Sequence, residues 1–268
     1  MRLTFASLIF ALALVAIGCA GTETGNGMKD KEHTAKVEVK LTDAALSSGQ
    51  FVALDSDGSE ITITDAWASV DRIDLFLADG TSCAEVLDPE DGALQGGEPA
   101  FAPRCLDDDD ATLRIDGPFW IDLITGEADP SLDMVYVPPG VYVGGSVKLH
   151  PRSPADPHNE DVLADATLGA EGTLANGDAF TLGLRFTDNI PFEGEITADE
   201  ALAGIGLLLD VDSWFVDLPI AECADAGNFT VDADGTWVIS DGKGGCNQAE
   251  KVITTAIKAS GRLTSTSE

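Results

Sequence analysis

Two short loops carry paired aspartates whose spacing could hold a cation. The sequence reads DSDG at 55–58 and DADG at 232–235, so each loop has two carboxylates two positions apart. Calcium takes about six to eight oxygen ligands, and alternating aspartates in a turn can offer two of them. Asp-Gly is also a common hairpin signal, so turn formation is the competing interpretation. The calcium candidates are therefore Asp55, Asp57, Asp232 and Asp234.

A second group of candidates comes from histidines and tryptophans. The loop HPRSPADPHNED at 150–161 has histidines and carboxylates of the kind that bind zinc, although its prolines suit a rigid, solvated connector. Four tryptophans could stack on a sugar or pack in the core, and core packing is the default interpretation for Trp67, Trp120, Trp214 and Trp237.

Catalytic signatures are missing from the sequence. It has no G-x-S-x-G elbow and no H-E-x-x-H motif, and its three histidines offer few possible bases for a triad. We therefore expect no enzymatic activity and no cofactor, apart from the calcium considered above.

The N-terminus has the features of an export signal. Arg2 is followed by an uncharged stretch at 3–17, which is shorter than the roughly 20 apolar residues of a membrane-spanning helix. This stretch runs into AIGC at 16–19, which resembles the bacterial lipoprotein signal, where small residues precede an invariant cysteine. The resemblance implies removal of residues 1–18 and lipidation of Cys19. The alternative is a simple signal peptide that leaves Cys19 as a free thiol.

The segment after Cys19 determines how the folded part would be displayed. Residues 19–35 hold almost no bulky apolar side chain and predict a flexible, lipidated tether. No Asp follows Cys19, so in a Gram-negative cell the resemblance points to the outer membrane rather than to retention at the inner one. No later stretch is long and apolar enough to cross the bilayer, so we expect the lipid to be the sole membrane attachment.

Cysteine arithmetic supports the exported location. If Cys19 carries lipid, four cysteines remain, and four cysteines allow three disulfide pairings. Neighbours in sequence are the expected partners, because each pair would close a segment rich in Gly, Asp or Pro. A four-thiolate metal site is the rival interpretation, and the lack of any Cys-x-x-Cys spacing argues against it. The predicted disulfides are Cys83–Cys105 and Cys223–Cys246.

The charge balance excludes several classes of partner. Without residues 1–18 the chain has 14 basic side chains (15 minus Arg2) against 47 acidic ones, a net charge of −33. Such a chain repels nucleic acid and bare anionic lipid. The hydrophobic fraction of 44% indicates a folded protein rather than an acidic disordered tail.

Short alternating runs separated by turn residues predict an all-β fold. Two strands are expected around the Pro-Pro-Gly turn within 134–149, and a hairpin is expected at 228–240. Other strands are expected at 36–42, 59–64, 68–78, 111–124, 166–175, 179–187 and 204–212. Helix signals are few, with short helices possible at 197–203 and 212–218. The expected architecture is an antiparallel β-sandwich over 36–262, with a division into halves 36–150 and 162–262 as a variant, and a disordered tail at 263–268.

A second resemblance supports the sandwich. DLITG at 122–126 and VPPGVYVGGSVKL at 137–149 are similar to a pattern in an uncharacterised family of bacterial exported domains with a transthyretin-like (prealbumin-like) sandwich. KVEVKLTDA at 36–44 and SVDRIDLFLADG at 69–80 agree with the opening strands of that family. The resemblance covers most of 36–218 and implies a fold but no activity.

The sequence thus predicts a lipid-anchored, acidic protein of the bacterial cell envelope with a non-enzymatic binding or structural role. Its expected partners are the membrane, through the lipid alone, and an unidentified envelope protein or glycan. A calcium-dependent or carbohydrate-binding module is the alternative, and an envelope hydrolase is a more distant one.

Overall fold

Strands dominate the part of the chain that the computed structural model describes, which is residues 34–42, 50–86, 103–107, 111–151, 166–199, 202, 204–240 and 242–266. All of them belong to one compact unit, 32–268.

The strands are β1 (Thr34–Thr42), β2 (Phe51–Leu54), β3 (Glu60–Leu77), β4 (Arg104–Asp107), β5 (Ala111–Asp122), β6 (Ala128–Asp129), β7 (Val135–Tyr136), β8 (Gly140–Leu149), β9 (Leu168–Leu174), β10 (Ala179–Leu184), β11 (Asn189–Ala198), β12 (Gly204–Asp210), β13 (Thr230–Val231), β14 (Trp237–Ile239) and β15 (Gly261–Thr266). The helices are α1 (Cys83–Val86), α2 (Ile220–Asp225) and α3 (Ala249–Ala259), with 3-10 turns at Val211–Ser213 and Gly244–Cys246. Within these residues no helix is both long and apolar enough to span a membrane.

The longest strand, β3, organises the sheet. One of its edges pairs first with β2 and then with β5, and the other pairs first with β9 and then with β8. Its register shifts between Ile63 and Asp65, between Val70 and Arg72, and again near its end. Such bulges bend a strand and increase its twist, so β3 can serve two differently oriented sets of neighbours.

The sheet curls until its first strand approaches β3 again. From β3 the strand order runs β8, β11, β15, β12, β1 and β7. Leu123 closes the gap, because its carbonyl accepts the N–H of Leu41 in β1 at 2.7 Å and its own N–H donates to Ala66 of β3 at 2.8 Å. Most pairs are antiparallel, but β1–β12, β10–β14 and β11–β15 are parallel. The sheet is therefore mixed, which corrects the expectation of an antiparallel one.

The curled sheet encloses one main apolar core. Alternate side chains of β3, β5, β8 and β12 are buried on its concave side, including Ile73, Leu75, Leu113, Val147 and Leu207. Helix α3 packs against β11 and contributes residues spaced by four, which places Ala249, Ile253 and Ile257 on one buried face.

The Pro-Pro-Gly turn is held by a buried tyrosine. Tyr142 in β8 donates its hydroxyl hydrogen to the carbonyl of Pro138 at 2.8 Å. Burial raises the pKa of Tyr142, and nearby Tyr136 adds to the effect, so the hydroxyl stays protonated and keeps donating. The two strands expected around this turn are confirmed as β7 and β8, although β7 pairs with β1 rather than with β8.

Other expectations fare differently. The hairpin expected at 228–240 is confirmed by the antiparallel pair β13–β14. The helix expected at 197–203 is wrong at its start, because β11 pairs with β8 as far as Ala198 and tertiary pairing overrides the Ala-rich composition. The expected tail is wrong for residues 263–266, which belong to β15 and pair with β12. The two halves share one sheet, because β3 lies between β8 and β9.

Both predicted disulfides are present. Cys83–Cys105 joins α1 to β4 with a Cα–Cα distance of 5.5 Å, and Cys223–Cys246 joins α2 to the second 3-10 turn with a distance of 6.1 Å. The second pair is buried in the core, whereas the first is half-buried beside it. Each bridge closes a loop of about 20 residues, which contributes roughly 3 kcal/mol in the chain-entropy account.

Candidate functional site

The two Asp-Gly loops have the same hydrogen-bond pattern. In the first, Asp55 Oδ1 accepts the N–H groups of Asp57 at 3.0 Å and Ser59 at 2.9 Å. In the second, Asp232 Oδ1 accepts the N–H groups of Asp234 and Thr236, both at 2.9 Å. Each aspartate also pairs its own N–H with the carbonyl four residues later. Both loops are therefore tight hairpin turns in which the first aspartate satisfies the backbone.

Asp55 has an additional partner that Asp232 lacks. Its Oδ2 accepts the N–H of Ala221 at 3.0 Å, in the first turn of α2, 166 positions away. The neighbouring Ser56 N–H donates to the carbonyl of Leu218 at 3.0 Å. Asp55 is 4% exposed. Its carboxylate therefore fixes the β2–β3 turn to the N-terminus of α2, where a negative charge is also favoured by the helix dipole.

The structure places no additional metal ligands beside the candidate aspartates and histidines among the residues it describes. Across the described residues, no group of three or more His, Cys, Asp or Glu side chains is arranged to hold a metal ion. Calcium binding by Asp55 with Asp57, or by Asp232 with Asp234, stays a prediction. In the proposed zinc loop, His150 is exposed at the end of β8, and the other candidates, at 156–161, lie outside the described residues, as does Cys19.

The four tryptophans do not form one platform. Trp214 is fully buried in the main core, with its ring 6.4 Å from that of Phe215 in an edge-on arrangement. Trp67 and Trp120 form a small cluster of their own with Ala166. Trp237 is half-buried on β14 and donates its indole N–H to Asp178 at 3.3 Å. All four pack against apolar neighbours, and Trp120 and Trp237 are the two that are only half-buried.

A charged network on the convex side of the sheet was not predicted from the sequence. Asp74 of β3 points away from the core, and its side chain is only 6% exposed. It accepts hydrogen bonds from Nε of Arg72 at 3.0 Å and from Nε of Arg114 at 2.6 Å. A buried charge is tolerated when it is paired and hydrogen-bonded in this way.

A second buried carboxylate lies on the same side, in β1. Glu38 is bonded by Nζ of Lys36 and by Nζ of Lys40, each at 2.8 Å. Burial alone would raise the pKa of Glu38, but the hydrogen bonds from the two lysines outweigh it and lower the pKa below the usual 4.5. The hydrogen bond to Glu38 likewise raises the pKa of Lys36.

The sequence did contain a signal for both networks. In a strand, residues i and i+2 share a face, so Lys-x-Glu-x-Lys at 36–40 and Arg-x-Asp at 72–74 place opposite charges side by side. The part that no local pattern shows is Arg114, which reaches Asp74 from the neighbouring strand.

Comparison of the chain with protein families, with curated proteins and with solved structures finds no significant match. The site must therefore be interpreted from its own geometry.

The two Asp-Gly loops allow a matched test of the Asp55 contact. Asp55→Asn and Asp232→Asn remove the same charge, and an amide oxygen can still accept the two N–H groups within each turn. Asp55→Asn also places an NH₂ group against the N–H of Ala221. We expect it to lower the free energy of unfolding by about 1–3 kcal/mol, and Asp232→Asn to cost less than about 0.5 kcal/mol. Urea unfolding of both variants measures this difference, and equal losses would contradict it.

The Glu38 network predicts a specific pH dependence. Because the folded-state pKa of Glu38 lies below its unfolded value, its contribution is complete above about pH 4.5 and is lost as the pH falls through the folded pKa. Glu38→Gln should therefore destabilise the protein near pH 7, and its difference from wild type should vanish in acid. Glu193→Gln, at an exposed position on β11, is the control and should have little effect at either pH. Unfolding curves from about pH 3 to pH 7 measure this, and a pH-independent deficit would refute it.

Proposed function

We propose that this chain is a lipid-anchored protein of the bacterial cell envelope with a non-enzymatic binding or structural role. The use of its cysteines carries the proposal. Two disulfides take up four of the five cysteines, and the fifth is Cys19, at the end of the lipobox-like segment. Disulfides persist in oxidising compartments outside the cytosol, which agrees with export.

The segment between Cys19 and the first described strand is long enough to connect a lipid anchor to the folded unit. The first described strand begins at Thr34, which is 15 residues (34 − 19) after Cys19. A flexible segment of this length spans roughly 20 Å. Two acyl chains on Cys19 would suffice for stable attachment, since each buried methylene contributes about 0.8 kcal/mol. The folded unit would then lie just above the lipid surface. Its net charge of −33 disfavours direct contact with anionic lipid.

We also propose that the curled sheet is a sandwich of the transthyretin-like kind. The change of neighbours along β3, from β2 and β9 to β5 and β8, supports two layers that share this strand. The Tyr142–Pro138 hydrogen bond supports it as well, because a tyrosine bonded to backbone a few residues upstream is a recurring corner of β-sandwiches. Such a scaffold suits recognition through its faces and loops. The lack of catalytic motifs in the sequence supports a binding or structural role rather than hydrolysis.

Lipidation of Cys19 is the direct test of the anchor. Growth with an alkyne-bearing fatty acid should label the wild-type protein and leave Cys19→Ala unlabelled. The double variant Cys83→Ala/Cys105→Ala is the matched control, because it removes cysteines elsewhere and should keep its label. Label that persists in Cys19→Ala, or wild-type protein that fractionates away from membranes, would contradict the proposal.

A further inference from the structure

Four basic side chains meet on the convex side of the sheet, and we name this cluster the basic ladder: Arg72, Arg104, Arg114 and Lys148. The strand register sets Arg104 of β4 directly opposite Arg114 of β5, and Arg72 of β3 directly opposite Lys148 of β8. Like charges at directly opposed positions destabilise a sheet. Carboxylates lie on the other side of two of these residues, because Asp116 is opposite Arg72 and Asp74 is opposite Arg114. The chain has 47 acidic residues and only 15 basic ones, so four basic side chains on one face still depart from its composition. Departures of this kind are expected where a surface serves function.

The buried carboxylate of Asp74 positions the ladder, and its four members are paired to different extents. Arg114 is the most engaged, because a terminal nitrogen also bonds Asp74, at 3.3 Å. Asp74 binds Nε of Arg72, and within the described part of the chain the terminal nitrogens of Arg72 make no other hydrogen bond. Lys148 has one loose partner, Asp71 at 3.5 Å, and its side chain is 37% exposed. Arg104 pairs with the exposed Asp116 and is itself 63% exposed. The terminal nitrogens of Arg72 and the loosely paired ammonium group of Lys148 are therefore the donors that the ladder can offer to an anionic ligand.

An aromatic ring and a hydroxyl group lie in the neighbouring positions. Phe76 of β3 is half-buried, opposite Gly144 of β8, and a side chain on Gly144 would contact its ring at 3.4 Å. Ser146 of β8 lies opposite Asp74, two positions before Lys148, and it is 5% exposed. The face therefore combines cations with a half-buried apolar ring, which together suit the charged groups and C–H faces of an acidic sugar.

We infer that the basic ladder binds an anionic polysaccharide through its carboxylate or sulfate groups. The inference rests on the proposed display at the envelope, which would bring such a chain within reach. An acidic peptide that adds a strand needs a free sheet edge, whereas the strands of Arg72, Arg114 and Lys148 are each paired on both sides. An anionic membrane or a nucleic-acid duplex would bring a wide negative surface against a protein of net charge −33, and the two surfaces would repel each other. A thin polysaccharide touches the ladder alone, and screening over about 8 Å at physiological salt limits repulsion from the remaining surface.

The test measures binding of the full chain, purified in a neutral detergent, to polygalacturonate, dextran sulfate and neutral dextran at about 0.15 M salt. We expect binding to both anionic polymers and none to neutral dextran. Tighter binding of polygalacturonate would identify carboxylate as the preferred group, and tighter binding of dextran sulfate would identify sulfate. Arg72→Gln/Lys148→Gln should weaken binding about tenfold or more. Arg185→Gln/Lys258→Gln, near α3, removes the same charge and should change the affinity less than about twofold.

Several outcomes would overturn the inference: no binding to either anionic polymer, equal binding to dextran, or equal losses in the two double variants. Polyglutamate that binds more tightly than both polymers, with the same sensitivity to the ladder variant, would indicate a surface for acidic peptides instead. If Arg72→Gln/Lys148→Gln does not fold, Arg104→Gln decides, because that side chain is exposed and its partner among the described residues is the exposed Asp116. An unchanged affinity would then overturn the inference. Labelling of Cys19 is measured independently, so failure of the ladder and failure of the anchor are distinguishable.

Discussion

Strand β3 hydrogen-bonds to four other strands, because each of its two edges is shared by two neighbours. The remaining architecture depends on this arrangement. The bulges along β3 turn its second half toward β5 and β8, and the sheet can then curl through β11, β15, β12 and β1 until Leu123 links β1 back to Ala66. The core lies inside that curl, and the alternate residues Arg72 and Asp74 are placed on its outside.

The outside of the sheet shows how a strongly acidic chain uses its few basic residues. Glu38 and Asp74 are both buried there, and each is bonded by two cationic side chains. Around Glu38 the two lysines belong to the same strand as the carboxylate. Around Asp74 the basic side chains extend over four strands, and Arg72 and Arg114 each lie between a carboxylate on one neighbouring strand and a second basic side chain on the other. The proposed recognition surface therefore follows from the same strand that holds the fold together.

Local patterns predicted many of the strands, the hairpin at 228–240 and both disulfides, because alternation, turn residues and cysteine spacing are short-range signals. They did not predict β2, β4, β6, β11 or β15. They could not predict the continuity of 59–64 with 68–78 as one strand, since its bulges depend on the neighbours. The parallel pairs and the Asp55–Ala221 contact depend on residues far apart in sequence. Helix α3 was missed although its buried residues recur every four positions. For the site, the aspartates of the turns were found by sequence but their role was not, because Asp-x-Asp-Gly can serve a turn or a cation equally well.

Hydrogen exchange of the backbone amides, followed on the folded full chain, tests most directly whether β3 holds the sheet together. If it does, the amides of β3 and β8 exchange last and together, through global unfolding, while the short outer pair β13–β14 exchanges earlier by local opening. Exchange of β3 before β13–β14, or exchange of its two halves at clearly different rates, would contradict the central place given to this strand.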